Sequence, residues 1–230
     1  MGKEKKKEAE VAAWKKAVVV GACVLFVILM IVSGMGSGWL TMFSAVKPGQ
    51  VAVLDYTIYD SSGNPVITSN EQVYKKTVAQ GRSVLAAKQI AIVANQSLAS
   101  AVYPVQVFST ESGATAEFAI FATEYNAISS AVTGMKKDEQ KKVTLPASSS
   151  MSQFWSAEQL AKSNISIANV NVGDVFAMGV SDNPSEMAAN TSAKSYLRSA
   201  EVTRKTSEGI VVDFSYPSAD IYVVQFGTGN

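Results

Sequence analysis

Any chemistry this chain performs has to come from hydroxyls, carboxylates, lysines, backbone and apolar surface. Its 230 residues include no histidine and one cysteine, Cys23. Without imidazole there is no Ser-His-Asp or Cys-His nucleophile, no histidine metal ligand and no histidine switch near neutral pH. A lone thiol makes no intramolecular disulfide and cannot by itself build a zinc or iron–sulfur site. No metal and no cofactor is therefore expected. The acids give no better handle: Asp138 and Glu139 sit in a charged KKDEQ turn that reads as solvated surface, and no two carboxylates stand out as an acid/base pair. A formal charge of +1 with no long basic face disfavours nucleic acid as a partner. With 47% hydrophobic and 17% charged residues the chain is too apolar for a disordered one.

The near-zero charge hides an asymmetry. Residues 1–16 carry six lysines and three glutamates, a net +3, and the remainder is net −2. No charged residue then appears until Lys47, and Ala17 to about Leu40 reads as a single transmembrane anchor flanked by Trp14 and Trp39. Lysines before the span and none just after it predict a cytoplasmic N-terminus and an external body at the plasma membrane, with the bilayer as a partner through residues 17–40. Cys23 falls inside the span as a small apolar residue. Three Asn-x-Ser/Thr sequons, at Asn95, Asn164 and Asn190, become glycosylation candidates if the body is external.

Beyond a Gly/Ser linker at 33–38 the pattern becomes period-two. In VAVLDYTIYD, Leu54, Tyr56 and Ile58 share one face, and SSGNP supplies the turn of a hairpin. EFAIFATEY (117–125) reads as a strand, AISSAVTGM (127–135) as a short helix, and KKVTLP as a strand stopped by Pro146. SAEQLAKS (156–163) is a serine-capped helix. Further strands are expected in 172–180, 195–205, 209–216 and 220–226. The sum is a strand-rich α+β body.

Two blocks carry a family likeness. VKPGQVAVLDYTIYDSSGNPV (46–66) is similar to the opening strand and hairpin of FKBP-type peptidyl-prolyl isomerases. AISSAVTGMKKDEQKKVTLP (127–146) resembles their helix–turn–strand block, through Ala131, Gly134, Met135, Glu139, Val143 and Pro146. VNVGDVF (170–176) and GIVVDFSYPSADIYVVQF (209–226) look like the inserted domain and returning segment of the long, SlyD-like subtype. The resemblance implies an FKBP-like antiparallel sheet with a short helix at 41–152 and 213–230, carrying an insertion at about 70–116. A small β-rich domain would be inserted in the flap at 153–212, all behind the basic tail 1–16 and the anchor 17–40.

Carried over position by position, the resemblance assigns a substrate pocket to Tyr56, Val66, Ile67, Tyr125, Ile128, Met151 and Phe226. The family's pocket aspartate falls on Ile67, its floor residue on Ile128 and its loop tyrosine on Met151. A histidine-free apolar pocket suits prolyl isomerisation, because favouring the twisted, less conjugated amide over the planar one needs neither nucleophile nor metal. The same residue types at these periodicities also suit the core of a sheet packed on one helix. The expected function is a membrane-anchored extracytoplasmic isomerase or folding chaperone acting on unfolded or proline-containing polypeptides. The alternative is a non-catalytic FKBP-like subunit of a membrane or cell-surface complex.

Overall fold

The structure, a computed structural model, describes residues 20–22, 24–27, 29–30, 33, 44–108, 113–147, 151–182 and 194–227. It falls into two compact units, 1–44 and 45–230. In the first, the described residues between Val20 and Ser33 are helical, and Val24, Leu25, Phe26, Leu29 and Met30 are each more than half exposed. No helix among the described residues is long and apolar enough to cross a membrane. This corrects the transmembrane helix expected at the head of the fold. Among the described residues the helical stretch runs from Val20 to Ser33, ~21 Å against a ~30 Å hydrocarbon core, and the rest of the anchor expected at 17–40 lies outside them.

In the second unit, β1 (Val51–Tyr59) turns through Asp60–Asn64 into β2 (Pro65–Thr68). Helix α1 (Glu71–Ala79) follows, its first turn capped by the Asn70 side chain, which accepts from the Gln72 and Val73 N–H groups. Strands β3 (Leu85–Ala87), β4 (Ile90–Val93), β5 (Val102–Phe108) and β6 (Thr115–Phe121) lead into α2 (Ala122–Val132) and β7 (Gln140–Thr144). The chain continues through β8 (Ser152–Ser156), α3 (Ala157–Lys162), a 3-10 turn (Ile167–Asn169), β9 (Val175–Val180), β10 (Tyr196–Lys205) and β11 (Gly209–Asp213). It returns as β12 (Ser218–Gly227).

These strands join in one twelve-stranded mixed sheet, ordered β7-β12-β1-β2-β3-β5-β6-β10-β11-β8, with β4 on β1 and β9 on β10. The expected fold, an antiparallel FKBP-like sheet with a separate small β domain, is corrected on this point. Two pairings are parallel. Between β2 and β3, α1 acts as the crossover that a parallel pair requires. Between β6 and β10 a single bridge, Leu197↔Phe118, carries the ladder across to β8–β11. The stretch 70–116, which had no assigned structure, supplies α1, β3, β4, β5 and the start of β6. The strand expected over 117–125 ends at Phe121, because the Glu124 carboxylate turns back to accept the Phe121 N–H (2.9 Å) and opens α2.

Buried apolar residues form one large cluster under β1, β4, β5, β7, β12 and α2, around Leu54, Ile58, Ile92, Phe118, Ile128 and Ile221. A smaller one lies under β8, β10, β11 and α3, around Leu160, Val202, Ile210 and Val212. Gly209 lets β11 approach β8 closely: a Cβ there would meet the Trp155 carbonyl oxygen and the Phe154 ring.

Candidate functional site

The seven pocket candidates do not meet at one opening. Tyr56, at the centre of β1, is 1% exposed, and Ile67, opposite Ile58 on β2, is fully buried. Tyr125 and Ile128 point from α2 into the same large cluster; Tyr125 stacks at a tilt on Tyr103, 5.0 Å between ring centroids. The Tyr56 hydroxyl has no hydrogen-bond partner among the described residues. Burial, with Tyr103 nearby, pushes its pKa above the usual tyrosine range. Val66 and Phe226 lie at the margin of the cluster, half-buried. Met151 belongs to the smaller cluster and lines an apolar cavity of about 360 Å³ with Phe121, Val180 and Phe214.

Of the seven, Val66 alone lines the largest cavity among those described, a groove of about 540 Å³. Its floor is built by the pleat: Val175 and Ala177 of β9 stand in register with Glu201 and Ser199 of β10, and Leu197 continues the row. One wall is the β1–β2 turn and the segment Arg82–Leu85; the other is Asp213, Ser215 and Tyr216. The turn is tied down locally. Asp60 accepts from the Asn64 N–H (2.7 Å) and side-chain amide (3.2 Å), and Ser61 donates to Glu201 on β10.

Behind the groove lies a residue that the strand pattern of 195–205 did not single out. Arg198 is fully buried. Its guanidinium makes a two-pronged bond to Glu124, also fully buried, with Nη2 to Oε1 at 2.6 Å and Nη1 to Oε2 at 2.9 Å. Its other hydrogens go to the Ala119 carbonyl (2.7 Å) and the Phe214 carbonyl (3.0 and 2.6 Å). The plane stacks between the Phe121 and Tyr216 rings, 4.3 and 4.1 Å from their centroids. Tyr216 in turn donates its hydroxyl to the Ser199 carbonyl (3.0 Å), and burial pushes its pKa upward. A signal was present: Arg198 falls on the inward face of β10 with Tyr196, Ala200 and Val202, where a charge needs a buried partner. The groove was harder to see, since Arg82 to Leu85 lay in the unassigned stretch.

Two sequons are open. Asn95 and Asn164 are exposed in turns at φ 56° and 58°, and Asn190 lies outside the described residues. No group of three or more carboxylate or thiol side chains among the described residues could hold a metal ion. No protein-family model matches the chain, and no curated protein is significantly similar to it.

Proposed function

We propose that this chain binds exposed segments of other polypeptides in the groove over β9 and β10, as a folding chaperone. The observation that carries the reading is the groove itself: an open, partly apolar trough wide enough for several side chains. Apolar side chains seated there gain about 25 cal/mol for each Å² removed from water, while the polar rim keeps the backbone of the guest hydrogen-bonded. The likeness of residues 46–66, 127–146 and 209–226 to SlyD-like proteins supports the same class of partner.

Bond rotation is a weaker reading than binding. Tyr56, Ile67, Tyr125 and Ile128 are spent on packing, so a prolyl amide has no access to a desolvating pocket made of them. The test uses the full chain in two assays: suppression of aggregation of an unfolded test protein, and cis/trans isomerisation of a short X-Pro peptide. Val175 is 60% exposed and on the groove floor, so Val175→Lys should leave the fold intact while abolishing suppression. Failure of the full chain to suppress aggregation would remove the chaperone reading. Acceleration of the peptide would restore the isomerase.

A further inference from the structure

We infer that the groove selects segments in which an apolar side chain is flanked by lysine or arginine; this rests on the polypeptide-binding reading above. The groove is lined by three carboxylates, Asp60, Glu201 and Asp213, against one cation, Arg82. Arg82 spends its Nη1 on the Asn64 side-chain oxygen rather than on an acid. None of the three carboxylates has a lysine or arginine nitrogen within ion-pair distance among the described residues; the ion pairs there join other residues, Lys75–Glu71, Lys162–Glu158, Lys194–Glu117 and Arg198–Glu124.

Two of these acids are placed at some cost to the sheet. Glu201 and Asp213 are direct register partners on β10 and β11, and like charges opposite one another destabilise a strand pair. Within the molecule each is only partly committed. Glu201 Oε2 accepts from Ser61, and Asp213 Oδ1 accepts from the Ser215 N–H, which leaves Oε1 and Oδ2 with acceptor capacity. An ammonium or guanidinium beside an apolar side chain meets both demands: the apolar part covers Val175, Ala177 and Leu197, and the cation answers the facing pair. Acidic guests are turned away by the same two groups, which makes the rim a device of discrimination more than of raw affinity.

The experiment titrates the full chain with three labelled peptides that share one apolar core and differ in flanks of lysine, serine or glutamate, followed by fluorescence anisotropy. The lysine-flanked peptide should bind about tenfold tighter than the glutamate-flanked one at low salt, and the gap should close near 1 M salt, where the screening length is ~3 Å. The near-isosteric pair Glu201→Gln with Asp213→Asn should bring the three peptides together without weakening the serine-flanked one. Arg82→Gln should widen the gap. Equal binding of lysine and glutamate peptides to the unaltered chain overturns the charge selection and leaves the groove reading standing. No binding of any peptide overturns both.

Discussion

The two larger apolar clusters of the 45–230 unit lie against one sheet, yet they treat their hydrophobic residues differently. Under β1, β12 and α2 the large side chains are sealed: Leu54, Ile58, Ile67 and Ile128 are fully buried, and even the tyrosine expected in a binding pocket is enclosed. Around β8 and β9 the cluster is smaller, and Phe154, Val172 and Val175 remain 51%, 61% and 60% exposed. The larger cluster is sealed, while the segment around β8 and β9 leaves apolar side chains open to solvent.

The join between the regions is the place to break that comparison. Arg198→Met leaves Glu124 buried without its cation, with only the Phe121 N–H still donating to it, and should remove about 3–5 kcal/mol. Because Arg198 holds the Ala119 and Phe214 carbonyls as well, urea unfolding should change from one transition to two, with β8–β11 lost first. A single unshifted transition would sink the idea that the pair couples the two regions. Next in size is Gly209→Ala, confined to the smaller cluster. A methyl group there has to displace the Trp155 backbone, so a loss of about 1–3 kcal/mol is expected, read by the same titration.

Smaller effects come from tyrosines of the sealed region. Tyr56→Phe removes a buried hydroxyl that has no partner, and should raise stability by about 1 kcal/mol. A destabilised variant would show that the hydroxyl is satisfied in solution. The alkaline limb follows from linkage. Tyr59 is pushed up to about 12, chiefly by burial and then by its hydrogen bond to Asp220, and Tyr56 is shifted in the same direction. Between pH ~10 and ~12 the unfolded chain has lost these protons while the folded one keeps them, so stability is intact below pH ~10 and falls as pH rises through the folded values. Melting temperature against pH checks this, and Tyr56→Phe should flatten part of the decline.

Period-two patterns made β1, β7, β10 and β12 legible, and Ser156 announced α3 by its cap. What the local pattern did not carry was pairing at long range. The parallel bridge at Leu197↔Phe118 joins residues far apart in sequence, and nothing in either strand's alternation names its neighbour. The seven pocket candidates shared a different fault. Apolar residues at strand and helix spacing serve a core and a pocket equally well, and only burial separates the two uses. The Phe121–Ala122 boundary was misread for a related reason: what starts α2 is a carboxylate held by a strand that appears more than seventy residues later.

The place of β12 has a consequence for how the molecule is made. Thr144 and Ser218 are ladder partners, so the chain departs from the sheet and returns to it at one spot, with residues 145–217 between. A ribosome adds about 5–20 residues per second and domains fold as they emerge, so β8–β11 can assemble while β1 and β7 still lack the strand that belongs between them. During that interval the larger cluster lacks its β12 side chains along β1, whereas every strand under the smaller one has already emerged. The chain then passes through a stage in which one of its own apolar edges is uncovered.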